Sequence, residues 1–270
     1  MKEYIKNNWK KLDIPNFIVA GILAIIFELT FELSKPNPLF VPKGDSNSEF
    51  PVRRSIVSFP KLMWVQFLIY SLTIIAAYLL QRFFPKFFRK FRPFTLAWDI
   101  CIVEFWTAII VNIFKDYVGR ARPSIFQSCN STDVNGGRAS CPGAKTDAEY
   151  YELFRSWPSG HSQLAVSGTT VLGLFIQRFI KTKVMIGYIL GSAPILYGFY
   201  VGSSRIKDFK HHPDDVLAGF VVGFIWALIG WDVMRDNVFV DEFEAEDEKS
   251  PIEKRHILNE DLNSEAGISV

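Results

Sequence analysis

The sequence predicts an all-α protein: a bundle of six transmembrane helices whose chemistry-bearing side chains gather at helix ends on one membrane face. Three observations predict it. Apolar residues fall into six blocks, roughly 17–33, 62–80, 95–114, 162–178, 184–202 and 215–234, each near the ~20 residues that cross a bilayer. Two blocks, LMWVQFLIYSLTIIAAYLL and VMIGYILGSAPILYGFYVG, carry no charge at all, whereas a soluble bundle helix carries charges along its outer face. Three of the four histidines, His161, His211 and His212, lie at block ends.

The elements follow in order. Residues 1–16 are basic and polar, and no small-residue cleavage site follows the first block. Block one is therefore expected to remain as a membrane anchor rather than be removed as a leader. Six spans put both termini on one side, together with the segments holding Lys2, Lys6, Lys10 and Lys11, then Arg82, Lys86, Arg89, Lys90 and Arg92, then Arg178, Lys181 and Lys183. The positive-inside tendency makes that side cytosolic. The opposite loop 34–61 carries Lys35, Lys43, Arg53, Arg54 and Lys61, which pull against that assignment.

The other face holds the long loop 115–161 and the short loop 203–214. In the long loop, Asn130-Ser131-Thr132 fits a glycosylation acceptor. Cys129 and Cys141 lie in the same loop, as a disulfide in an oxidising compartment or as two free thiols. Cys101, inside block three, reads as packing. Gly187/Gly191 and Gly219/Gly223, each four apart, favour close helix approach and predict that blocks five and six are internal. Residues 235–270 turn acidic and polar, as expected of a disordered cytosolic tail beyond a membrane domain spanning 17–234. Net charge is +2 and no basic tract is interleaved with aromatics, so no nucleic-acid partner is expected.

Ionisable residues at membrane depth are costly and usually have a task. The first cluster is KDYVGRARP. If the helix of block three continues, Lys115 and Arg122 are seven apart and share a face, as an anion site or as a snorkelling pair. The second is PSGH: Ser159 can cap block four, Gly160 permits close approach, and His161 sits in the first turn beside N–H groups suited to phosphate. The third is SRIKDFKHHPDDV. Arg205 offers a guanidinium fork, and Asp215, four residues after His211, can accept from one ring nitrogen and free the other. Asp214 and Asp215 are adjacent and diverge on a helix, so no two-metal carboxylate cluster is expected.

Lys115, six residues, Arg122-Pro123; Pro158-Ser159-Gly160-His161; Ser204-Arg205, five residues, His211, three residues, Asp215. This three-part pattern resembles the signature of the type 2 phosphatidate phosphatase (lipid phosphate phosphatase) superfamily, which soluble haloperoxidases and bacterial acid phosphatases share. The spans favour the integral membrane branch. The resemblance implies that His211 is a nucleophile forming a phosphohistidine and that Asp215 orients it. It implies that His161 is the general acid, then base, and that Lys115, Arg122, Ser159, Gly160 and Arg205 cradle phosphate. It further implies a magnesium-independent, cofactor-free phosphatase acting on a membrane lipid phosphate such as phosphatidate, diacylglycerol pyrophosphate or lysophosphatidate. The active site is expected at helix ends on the non-cytosolic face, lumenal or extracellular. Two alternatives stand beside this expectation: a polyprenyl or sphingoid phosphate phosphatase with the same site, and a non-catalytic binder or transporter of lipid phosphates.

Overall fold

The computed structural model describes residues 12–181 and 184–240. The architecture is all-helical: α1 (Ile14–Leu33), α2 (Phe59–Phe83), α3 (Pro93–Val118), α4 (Ile125–Cys129), α5 (Asp147–Glu152), α6 (Gly160–Phe179), α7 (Val184–Lys207) and α8 (Pro213–Val238). Prolines open several of the long helices: Pro60 lies in the first turn of α2, and Pro93 and Pro213 begin α3 and α8. There the missing N–H is no loss and the fixed φ suits the helix. The N-terminal expectation for residues 1–11 and the tail expectation for residues 241–270 fall outside the described residues; α8 itself continues to Val238.

Five helices, α1, α2, α3, α7 and α8, are long and apolar enough to cross a membrane. They expose large apolar side chains such as Ile25, Leu72, Leu196 and Leu217. Exposed apolar surface on this scale suits a lipid solvent, so the chain is an integral, multi-pass membrane protein.

The remaining long helix, α6, is not one of those five. It is 20 residues long and every residue from Ser162 to Gly173 is buried. It packs against α2, α3, α7 and α8. Because protein surrounds it, α6 can carry polar residues that lipid would not tolerate, provided each finds a partner. Gln163 donates to Thr107 on α3, and Thr169 returns its hydroxyl to the Ala165 carbonyl at 2.5 Å. Gln66 on α2 donates to the Leu164 carbonyl at 3.0 Å.

The glycine spacing has a different meaning from the one expected. α7 and α8 are not internal, since they expose Leu190, Leu196, Leu217 and Leu228. Only their glycine faces turn inward, onto α6. A Cβ on Gly191 would come 2.5 Å from the Gly173 carbonyl oxygen, and one on Gly219 would come 2.4 Å from that of Ser159. The small residues mark the helices that approach the centre, and α6 is the centre.

At one end of the bundle, the α3–α6 connection and residues 34–58 form a polar cap over a small core of Ile125, Phe126, Val134 and Phe154. Cys129 is joined to Cys141 there. Asn130, at the end of α4, is exposed. At the other end, Leu96, Ile100, Leu172, Phe175 and Trp231 make the largest apolar core.

Close packing of α6 on α7 has a measurable consequence. A Cβ at Gly173 would lie 2.3 Å from the Gly191 carbonyl oxygen, while one at Gly21 meets nothing within 4 Å. Gly173→Ala is expected to lower stability by about 1–3 kcal/mol. Gly21→Ala is expected to leave it unchanged or raise it by up to ~1 kcal/mol. Thermal unfolding of both variants in detergent checks the contrast.

Candidate active site

Each cluster reaches the capped end of the bundle by a different local device. Lys115 occupies the last turn of α3. Gly119 then ends the helix in the left-handed region at φ 61, a conformation that glycine adopts without a Cβ penalty. A Cβ there would sit 1.7 Å from the Asn37 carbonyl oxygen. The helix therefore does not continue, and Lys115 and Arg122 do not share a helical face as the sequence suggested. Arg122 instead returns from the following loop, its backbone N–H on the Leu153 carbonyl at 2.8 Å and its Nε on the Glu152 carbonyl at 3.1 Å.

Ser159 caps α6, and its own N–H donates to the Asp215 carbonyl at 2.9 Å, which locks the start of α6 to the start of α8. Ser159 is buried, and its hydroxyl accepts from that of Ser162 at 2.9 Å. Gly160 leaves room for a cation: a Cβ on it would stand 3.1 Å from Lys115 Nζ. His161, in the first turn, meets Phe59 edge-on with ring centroids 6.0 Å apart. Arg205 lies near the end of α7, donating to the Val57 carbonyl at 3.0 Å.

These devices bring Lys115, Arg122, Gly160, His161, Arg205 and His211 to the wall of one cavity of about 410 Å³. Phe27, Phe31 and Phe59 form an apolar part of the same wall. Ser159 and Asp215 stand behind it. Three buried nitrogens on this wall, His161 Nε2, Arg205 Nε and Asn112 Nδ2, have no protein partner. Buried polar atoms are rarely left unpaired, so these donors are suited to an incoming acceptor such as a phosphate oxygen.

His211 differs from its expected arrangement. It precedes α8 rather than sharing a turn with Asp215, and its Nδ1 is 2.7 Å from the Ser156 carbonyl oxygen but 3.7 Å from Asp215 Oδ2. A carbonyl only accepts, so Nδ1 carries the hydrogen and Nε2 keeps the lone pair. The backbone of Ser156 sets the tautomer, and Asp215 acts at slightly longer range. The Asp215 carboxylate is itself held by the Ser156 hydroxyl at 2.6 Å, Arg120 Nη1 at 2.7 Å and the His212 N–H at 2.7 Å.

Sequence reasoning missed Ser156, Arg120 and Glu152 and gave His212 no role. Arg120 also pairs with Asp214, and Glu152 pairs with Arg122. Arg120 stands inside KDYVGRARP and Ser156 two residues before PSGH, but no spacing rule separates them from their neighbours. Glu152 ends α5, 30 residues from Arg122 and beyond any local periodicity.

Burial pushes the His211 imidazole down to about 4; its link to Asp215 opposes this, while the cations Arg122, Lys115 and Arg205 add to it. Burial acts to raise Glu152, but Arg122, Lys115 and Arg155 outweigh it and hold the carboxyl below its usual range. His211 is thus neutral throughout the physiological range, charging only as pH falls towards 4. In histidine-labelled protein, the His211 resonance, assigned by its loss in His211→Asn, is expected to stay neutral from about pH 8 to 5. Arg122→Gln, by removing a cation, should move its midpoint upward. A midpoint near the usual ~6.5 in the unaltered protein would contradict this environment.

The model of the PAP2 superfamily matches residues 96–239, a stretch that holds every cavity cation and both cavity histidines. The chain is 32% identical to lipid phosphate phosphatase 1 of Arabidopsis thaliana, over 50% of this chain and 43% of that protein. It is 29% identical to the probable diacylglycerol pyrophosphate phosphatase 1 of Schizosaccharomyces pombe, over 45% and 47%. It is 27% identical to diacylglycerol pyrophosphate phosphatase 1 of Saccharomyces cerevisiae, over 49% and 47%. The chain spans less than half the length of these curated relatives. No solved structure matches it.

Proposed function

Since the chain belongs to the PAP2 superfamily, we propose that its cavity hydrolyses the terminal phosphate from membrane lipid phosphates: the phosphomonoester of phosphatidate or lysophosphatidate, or the phosphoanhydride of diacylglycerol pyrophosphate. The observation that carries this reading is the convergence of three cations and two histidines on one cavity that also has an apolar flank of Phe27, Phe31 and Phe59. A lipid can keep its chains against Phe27, Phe31 and Phe59 while its headgroup reaches the cations.

The chemistry then runs in two steps. His211 Nε2 attacks phosphorus as the bond to the lipid oxygen breaks, and His161 gives that oxygen a proton. Lys115, Arg122, Arg205 and the N–H groups at the start of α6, held by Ser159, take the charge on the equatorial oxygens. Water next attacks the phosphohistidine with His161 as base, orthophosphate leaves, and His211 regains its lone pair. Asp215 stabilises the imidazolium character that develops on His211.

No metal is assigned a role. Of the two acids on the cavity wall, Glu28 and Glu152, the latter is paired with Arg122, and cations already occupy the positions a metal would neutralise. We assign α6 as a sixth span, with 1–16 and 235–270 as flanking cytosolic segments and 17–234 as the membrane domain. The cavity then faces the lumen or the exterior. Cys129–Cys141 and the exposed Asn130 on the same cap support that side.

Phosphate release from detergent-dispersed phosphatidate is expected in the presence of EDTA. His211→Ala and His161→Ala should each lower turnover by about 10³-fold or more with folding retained, and Arg205→Ala by about 10²-fold. Acid quench should trap labelled phosphate on the unaltered chain and not on His211→Ala. Absence of release across a panel of glycerolipid, sphingoid and polyprenyl phosphates would turn the reading to a binder.

A further inference from the structure

The other end of the bundle holds a second hollow that the phosphatase reading does not use. A groove of about 850 Å³ runs between the second half of α2, the last turns of α6 and the first half of α7. Its wall is almost wholly apolar, with Leu80, Phe84, Ile186 and Leu190 along it. It lies at the end of α6 opposite His161. Phe175 and Phe179 bound it, so it begins about 20 Å along the helix from the active site.

Where the groove ends, Phe88 is also part of a second, polar hollow of about 320 Å³. That hollow is lined by Arg89, Lys90, Arg178 and Lys181, with Asp236 as its acid. Arg178 is 3.6 Å from Asp236, which leaves the hollow with an excess of positive charge. The basic side chains are held by fixed backbone. Phe88 and Ile180 form an antiparallel bridge, the Arg89 N–H donates to the Phe179 carbonyl at 2.9 Å, and the Lys181 N–H donates to that of Phe87 at 2.9 Å. The chain around residue 88 is thereby clipped to the end of α6, and Arg89 and Lys181 flank the mouth of the groove.

We propose that the groove and the adjoining basic hollow bind one anionic glycerophospholipid of the surrounding leaflet, its acyl chains along α2 and α7 and its phosphodiester on Arg89 and Lys181. A long apolar slot ending in a cluster of cations is complementary to that class of molecule at both ends. A zwitterionic lipid fills the slot but gains less from the cations. Because the headgroup is a phosphodiester held far from His211, this lipid is a resident and not a substrate. The site is independent of the phosphatase reading and stands if that reading fails.

The test uses the full chain reconstituted in phosphatidylcholine vesicles containing phosphatidylglycerol, then extracted and washed in mild detergent for native mass spectrometry. The unaltered protein is expected to retain one phosphatidylglycerol in preference to phosphatidylcholine. The exposed pair Arg89→Gln/Lys181→Gln should retain several-fold less. Ala193→Phe, which fills the groove from α7, should lose retention of both lipids. Added phosphatidylglycerol should raise the thermal midpoint of the unaltered protein and not that of the charge variant, a comparison made on folded samples of each. Equal retention of the two lipids by the unaltered protein, or undiminished phosphatidylglycerol on the charge variant, would overturn the site.

Discussion

A helix that carries polar side chains through its middle, α6, sets the terms for the rest of the molecule. Lipid cannot satisfy Ser162, Gln163, Ser167 and Thr169, so protein must surround them. Four of the five apolar helices do so, and glycines on α7 and α8 let their backbones come close enough to exclude lipid. Buried polar contacts such as Gln163 to Thr107 and Gln66 to Leu164 then tie the layers in register. The start of this enclosed helix is fixed to α8 through Ser159 and the Asp215 carbonyl. The site inherits its rigidity from that joint.

Electrostatics at the capped end follow from the same enclosure. Three cations share the cavity wall, an arrangement that repels itself in a low-dielectric site. Acids in and behind the wall offset it: Glu152, itself part of the wall, pairs with Arg122, and Asp208 lies 3.7 Å from Arg205. The Asp208 carboxylate also takes the Ile56 N–H at 2.8 Å, so the counterion for Arg205 anchors the loop that covers it. A negatively charged headgroup entering this site completes the charge balance, in keeping with the role proposed for it. His211 is held neutral between the Ser156 carbonyl and nearby cations, the form that offers a lone pair.

Much of the fold was legible because hydropathy is local. Five of the six apolar blocks correspond to helices that are themselves apolar enough to span a membrane. The fourth block was legible only as to its position. Its polarity looks like a defect in a span until its neighbours are known, and the glycines that pointed to internal helices in fact pointed past them to α6. In the site, Lys115, Arg122, Gly160, His161, Arg205 and His211 were all named from motif spacing, and the cavity wall holds all six. The local geometry attached to two of those motifs was wrong. Gly119 ends α3 before Arg122, and the Ser156 backbone, not Asp215, takes the His211 hydrogen.

What the sequence determined by itself, then, was composition along the chain: where apolar segments run, which residue types stand at their ends, and at what spacing. Those properties act between near neighbours and can be counted. Tertiary structure alone decided which ends meet, that Glu152 answers Arg122 across a loop, that Ser156 and Arg120 grip Asp215, and that α6 lies at the centre. Each of these depends on segments far apart in the chain approaching within a few ångströms. Hydrogen bonds and ion pairs decay too steeply with distance for their partners to leave a periodic trace in the order of residues.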